Sequence, residues 1–361
     1  MKLFECQNCG QILYFENRIC ERCRHRLGYI PEKNLLSALN PGNDSWKALG
    51  APQRHFVFCT NAEHEACNWL VPADAAEPYC AACRHNGTIP ALTNPQNLLA
   101  WRKMESAKHR LFYSLLRLQL PLATRREDPE HGLLFNFLAD LPSDDGPKVM
   151  TGHDNGVITI ALVEADDVER ERRRTAMGEP YRTLLGHFRH EVGHHYWDIL
   201  VRDGGRLDAF RALFGDERED YGEALKRHYK EGAPRNWQET FVSAYATTHP
   251  WEDFAETWAH YLHIVDTLEM AAAFGLQICP RISEGREMEA KFDLDPYRLG
   301  NVHEMIEAWL PLTFALNSLN QTMGQADLYP FILSPGVIRK LGFVHELVQE
   351  RARNGRDQIA R

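Results

Sequence analysis

His190, Glu191 and His194 stand as H-E-x-x-H inside Arg182–Leu200, which reads RTLLGHFRHEVGHHYWDIL. On an α-helix, residues i and i+4 lie one above the other, so both imidazoles can point at one metal ion. Glu191 then falls beside an open coordination position, where a metal-activated water needs a general base. Two imidazoles do not complete a catalytic zinc site, and a third ligand is required. Downstream, Pro250 is placed to start a second helix, with Phe254, Ala255, Trp258, Tyr261 and Leu262 on its apolar face. Glu252 and Glu256 are i and i+4 on that helix. Their spacing lets Glu252 ligate the metal while Glu256 accepts a hydrogen bond from the non-coordinating nitrogen of His190. Asp198 is a rival third ligand, but its short side chain shares a helix with both histidines. Asp253 and His260 are weaker rivals. His187, His195 and His249 read as surface or supporting residues.

A second chemistry belongs to the cysteines. Eight of the nine lie in the first 83 residues. Cys6-x-x-Cys9 and Cys20-x-x-Cys23 have the spacing of the two knuckles of a zinc ribbon, in which each tight turn supplies two thiolates to a closed tetrahedral site. Gln11–Phe15 between them suits a strand, with Tyr14 and Phe15 covering the site. Cys59, Cys67, Cys80 and Cys83 make a second quartet, more widely spaced, with Trp69 able to pack over the ion. His64 and His85 are close enough in sequence to replace one of these cysteines. Cys279, alone before Pro280, reads as a buried thiol. The expected cofactors are therefore one catalytic and two structural zinc ions.

The elements that must position these groups follow from the pattern between them. Asn94–Asn97 opens a helix carrying Leu98, Trp101, Met104, Ala107, Leu111, Leu115 and Leu118 at helical spacing. Lys148–Gly152 and Val157–Val163 are strand-like and flank His153-Asp154-Asn155-Gly156, where Asn-Gly signals a hairpin. Such a strand just before an H-E-x-x-H helix could hold an extended peptide by β-augmentation. Apolar spacing from Val302 to Val348 gives a helical C-terminal lobe. The expected fold class is α+β: a small zinc-ribbon region over 1–90, a connecting helix in 91–125, and a mainly helical domain with a small sheet over 126–361, for which the H-E-x-x-H motif predicts a zincin-like metallopeptidase.

Composition sets the outer bounds. The chain has 361 residues, 25% of them charged, and a net charge of −9. No apolar run is long enough to span a bilayer, and MKLFECQNCG lacks the core of a signal peptide, so a cytoplasmic location is expected. Residues 1–90 carry nine Lys/Arg against nine Asp/Glu. Phosphate binding needs a net positive surface, so nucleic acid is a poor candidate partner for the ribbons, despite the local cluster of Arg18, Arg22, Arg24 and Arg26.

Tyr245 lies seven residues before Glu252, and Glu252-Asp253-Phe254-Ala255-Glu256 resembles the third-ligand helix of gluzincins of the anthrax lethal factor type. The resemblance implies His190, His194 and Glu252 as ligands, Glu191 as base and Tyr245 as donor to the oxyanion. Over nearly its whole length the chain also resembles a bacterial family described as "putative zinc-binding metallopeptidases". That family joins an N-terminal zinc-ribbon region to such a domain. The shared segments are the two cysteine quartets, Arg182–Glu191 and Glu252–Glu256. The expectation is a zinc-dependent hydrolase acting on peptide or protein substrates. A non-catalytic adaptor that recognises a partner through its ribbons is the alternative, and intact Glu191 and Tyr245 argue against it.

Overall fold

The computed structural model describes residues 1–140, 149–177, 179, 181–281 and 288–359. The chain separates into two units, Met1–Leu116 with Leu122–Arg172, and Arg117–Pro121 with Arg173–Arg361.

In the first unit, β1 (Phe4–Glu5) and β2 (Ile12–Leu13) form a short antiparallel pair. The strand expected over Gln11–Phe15 is shorter than that. Tyr14 N–H donates to Asn17 Oδ1 and Asn17 N–H returns to the Tyr14 carbonyl, a local turn that ends the strand. Phe15 is buried against Phe4, Tyr29, Trp69 and Tyr113, whereas Tyr14, expected to cover the site, is 51% exposed.

Five further strands make an antiparallel meander: β3 (Arg26–Ile30), β4 (Leu35–Pro41), β5 (Trp46–Ala48), β6 (His55–Phe58) and β7 (Leu70–Pro72). Its core is Ile30, Leu39, Ala48, Ala51, Phe56 and Leu70. Gly28 permits the close packing of Leu70, whose side chain would lie 2.6 Å from a Cβ there.

The predicted helix is α1 (Pro95–Arg117), with Trp101, Met104, Leu111 and Leu115 buried. Buried with them is the ion pair Lys108–Glu105, at 2.8 Å. Next come β8 (Leu134–Leu138), β9 (Gly152–Asp154) and β10 (Val157–Ala161), ordered β8-β10-β9, with β10 parallel to β8 and antiparallel to β9. Asn155 (φ +45°) and Gly156 (φ +83°) form the two-residue turn of the β9–β10 hairpin. Because that turn is only two residues long, His153 and Asp154 join the strand instead of the loop. Lys148, at the start of the expected strand, lies outside the described residues. The charged helix α2 (Asp167–Met177) carries the chain into the second unit.

The second unit is helical. α3 (Leu184–Tyr196) is capped by Thr183, whose hydroxyl accepts from Gly186 N–H at 3.0 Å, and continues as a π-helical turn over Trp197–Arg202. α4 (Leu207–Phe214) and α5 (Tyr221–Glu231) follow, then α6 (Pro250–Ala273), which starts at Pro250 with His249 as its cap. A small pair, β11 (Gln277–Ile278) with β12 (Ala290–Lys291), precedes α7 (Val302–Thr322) and α8 (Pro335–Ile359). Cys279, expected as a buried thiol, is exposed where it follows β11, with its sulfur 3.8 Å from Glu289 Oε1.

The α+β class read from the sequence is the one observed. Among the described residues no helix is long and apolar enough to cross a membrane. Within the helical unit, α3 and α6 cross at close range. A Cβ at Gly193 would lie 3.0 Å from Ala255 Cα and 3.2 Å from Trp258 Cβ. Only a residue without a side chain allows this approach, and it brings the H-E-x-x-H face against the Glu252–Glu256 face.

Candidate metal centre

At the crossing, one ligand atom each from His190, His194 and Glu252 lies within 4.8 Å of the others. Glu252 Oε2 is 3.0 Å from His190 Nε2 and 3.6 Å from His194 Nε2. Glu252 is 2% exposed, and among the described residues none meets its Oε2 with hydrogen-bond geometry. The other face of His190 explains why these residues suit a cation. Its Nδ1 lies 2.7 Å from Glu256 Oε1, so Nδ1 carries hydrogen and Nε2 of the neutral ring turns a lone pair toward Oε2. Two electron-rich atoms 3.0 Å apart in a buried site require a proton or a metal ion between them. His190 accordingly binds a proton far more tightly than usual: burial pushes its pKa down, but Glu252 and Glu256 outweigh burial and hold it well above the ordinary value. A dication satisfies the same two atoms and adds His194 Nε2 as a third donor, so the residues fit zinc.

The surrounding groups fix this geometry. Ser243 Oγ donates to Glu256 Oε2 at 2.7 Å, completing a line from Ser243 through Glu256 to His190. Tyr221 on α5 donates to Glu252 Oε1 at 2.8 Å. Glu191 is buried, and desolvation raises its pKa above the usual carboxylate range, with His190 and His194 opposing. Tyr245 begins a short 3-10 turn, and its ring centroid lies 6.0 Å from that of His190. Its hydroxyl is kept protonated by burial, reinforced by the Glu252 charge.

The rival ligands are engaged elsewhere. Asp198 Oδ1 takes Arg202 Nη1 at 2.8 Å on the π-helical turn, Asp253 pairs with the buried Lys340, and His260 Nδ1 meets the Tyr329 hydroxyl at 2.7 Å. His249 accepts from Trp251 N–H and donates to the Glu219 carbonyl, which makes it the cap of α6.

The first unit holds the two cysteine clusters. Cys6, Cys9, Cys20 and Cys23 bring all four sulfurs within 4.8 Å of one another, with 3.6 Å from Cys6 to Cys23 and 3.5 Å from Cys9 to Cys20. Each knuckle ends in a left-handed residue, Gly10 (φ +72°) after Cys9 and Arg24 (φ +64°) after Cys23. Cys59, Cys67, Cys80 and Cys83 form the second cluster, all four buried. Trp69 N–H donates to Cys67 Sγ at 3.3 Å and Cys83 N–H to Cys80 Sγ at 3.4 Å. Four thiols packed so closely cannot all ionise against one another, whereas a dication among them reconciles four thiolates.

Neither histidine considered from the sequence serves this cluster: His85 Nδ1 is tied to the Leu133 carbonyl at 2.9 Å, and His64 packs edge-on against Trp101. The histidine at the sulfurs is instead His109 on α1, with Nε2 3.3 Å from Cys67 Sγ. His109, Tyr221 and Ser243 are the residues that sequence reasoning missed. None shares a spacing pattern with the groups it touches.

A helical unit in which two histidines and a glutamate converge, joined to a cysteine-rich unit with two four-thiol clusters, has the make-up expected of a zinc-ribbon metallopeptidase. Residues 97–347 match the family described as "Putative zinc-binding metallo-peptidase" and residues 3–94 match a zinc-ribbon domain. The chain belongs to that metallopeptidase family. It is 43% identical over 353 residues to uncharacterized proteins of Mycobacterium bovis and of Mycobacterium tuberculosis strain H37Rv, covering 98% of this chain and 96% of each relative. No solved structure matches it significantly.

Proposed function

We propose that the chain is a zinc-dependent hydrolase of peptide bonds, of the gluzincin kind, with His190, His194 and Glu252 as zinc ligands and Glu191 as general base. The observation that carries this reading is the orphaned Glu252 Oε2 facing two imidazole nitrogens, with a buried Glu191 beside them on α3. Zinc bound there would acidify a water and polarise a scissile carbonyl.

The protein's own groups supply the rest. Glu191, raised above the usual carboxylate range by burial, takes the water proton and passes it to the leaving amine. Glu256, itself held by Ser243, keeps the proton on His190 Nδ1 and so fixes the ring that binds through Nε2. Tyr245, protonated across the working pH range, donates to the developing oxyanion, a contribution of about 3 kcal/mol in comparable sites. Substrate is a peptide or protein segment in extended form. The cysteine clusters hold two structural zinc ions in a region with little core of its own. The working boundaries remain 1–90 for that region, 91–125 for the connecting helix and 126–361 for the catalytic part.

A digest of an unbiased peptide library tests the reading. New peptide termini should form with the zinc-loaded chain, and their absence at high enzyme concentration would remove the hydrolase assignment in favour of the adaptor.

A further inference from the structure

The second cysteine cluster contains a fifth donor atom. His109 brings Nε2 to 3.3 Å from Cys67 Sγ, 3.5 Å from Cys83 Sγ and 3.9 Å from Cys80 Sγ. The Cys67 and Cys80 sulfurs are 3.8 Å apart. Zinc bonds of about 2.3 Å to sulfur and about 2.0 Å to nitrogen imply tetrahedral edges of roughly 3.8 Å between two sulfurs and roughly 3.5 Å between sulfur and nitrogen. The ring nitrogen therefore stands at ligand spacing from three sulfurs.

The other ring nitrogen is anchored in the manner of a metal-bound imidazole. Nδ1 faces the backbone carbonyl of Glu105, which can only accept. Nδ1 thus carries hydrogen, and in the neutral ring Nε2 presents its lone pair to the cluster. The ring is buried and held by Trp69, with centroids 5.1 Å apart. Glu105, 3.4 Å from Cys83 Sγ, is a less fitting donor: Oε1 already takes Lys108 and Asn86, and a buried ammonium disfavours a second cation beside it.

We propose that His109 is a metal donor of this cluster. With Cys67, Cys80 and Cys83 it completes a Cys3His set that shares a face with the four-cysteine set and retains the zinc when Cys59 lets go. Cys67, Cys80 and Cys83 are common to both sets, so Cys59 is the ligand exchanged. The ion then ties the strand meander to α1, since His109 is a helix residue 26 positions beyond the last cysteine. The inference is independent of the peptidase reading.

Zinc counting on the full chain tests it. Cys59→Ala should keep the wild-type zinc complement, and with cobalt in place of zinc its visible spectrum should show one tetrahedral site of three sulfurs and one nitrogen. Cys59→Ala/His109→Phe should hold one ion fewer. Loss of an ion from Cys59→Ala alone overturns the proposal; that result is the one expected if His109 merely donates hydrogen bonds to thiolates. Retention of the ion by the double variant also overturns it. Should Cys59→Ala fail to fold, His109→Phe in the otherwise native chain decides the matter. One zinc should pass to a chelator at least tenfold faster than from wild type, and His109→Cys should restore slow release. An unchanged rate in His109→Phe overturns the proposal.

Discussion

The Tyr221 hydroxyl donates to Glu252 Oε1 at 2.8 Å and thereby leaves Oε2 as the free oxygen facing His190 and His194. A carboxylate held at one oxygen cannot rotate away from the ion it binds. Loss of such a supporting hydrogen bond typically lowers metal affinity by about tenfold to a hundredfold. Tyr221→Phe should therefore weaken zinc binding at this site about tenfold in a chelator competition, with the fold unchanged by circular dichroism. Equal affinity in the two proteins would show that Glu252 needs no such brace.

Gly193 makes a second prediction, because helix propensity and packing oppose each other there. Alanine in a helix interior is favoured over glycine by about 1 kcal/mol. A Cβ at Gly193 would meet the backbone of α6 at 3.0 Å, and overpacking of this kind costs about 1–3 kcal/mol. Gly193→Ala should thus lower the denaturation midpoint and weaken zinc binding by spreading His194 from Glu252. A stabilised variant with normal zinc affinity would mean that α6 shifts freely.

Stability should fall in mild acid through buried histidines. Burial lowers the pKa of His260 to about 4 and that of His263 to about 3. Between the ordinary value near 6.5 and these depressed values, the unfolded chain binds protons that the folded chain refuses, so acid favours unfolding. The loss begins below about pH 6.5 and levels off below the folded values. His260→Gln removes one of the two groups. The stability gap between wild type and variant should therefore narrow by about 2 kcal/mol from about pH 7.5 to about pH 5 in urea titrations. A gap independent of pH would show that His260 titrates normally in the folded protein.

Metal counting separates the proposed ligands at the α3–α6 crossing from the cysteines. Glu252→Ala should cost one zinc relative to wild type and leave the cysteine-bound ions in place. An unchanged count would put the third ligand elsewhere.

Much of this site could be read from sequence because helices repeat on a short period. His190 and His194 share a face through four-residue spacing, as do Glu252 and Glu256, and the apolar residues around Phe254 and Trp258 announced that their helix is buried. The cysteine quartets were legible for a related reason, since the knuckles are local turns. Tyr221 and Glu252 are 31 residues apart, and His109 and Cys67 are 42 apart. No local period links such pairs, and only the folded chain brings them together. The five-stranded meander was hidden as well. Leu27–Ile30 and Leu36–Leu39 are buried at every position, so neither strand shows the alternation that betrays a half-exposed one.

Glu191 is proposed as the base of a zinc peptidase, and chelation cannot test that role cleanly because chelators would also strip the cysteine clusters. Glu191→Gln keeps the size and the helix while removing the proton acceptor. Its peptide-library digest, run beside that of wild type with metal content measured on both, is the most direct test. The prediction is an unchanged zinc content with hydrolysis reduced by at least about a hundredfold, the scale of general-base catalysis. Hydrolysis at the wild-type rate from a fully zinc-loaded Glu191→Gln protein would contradict it.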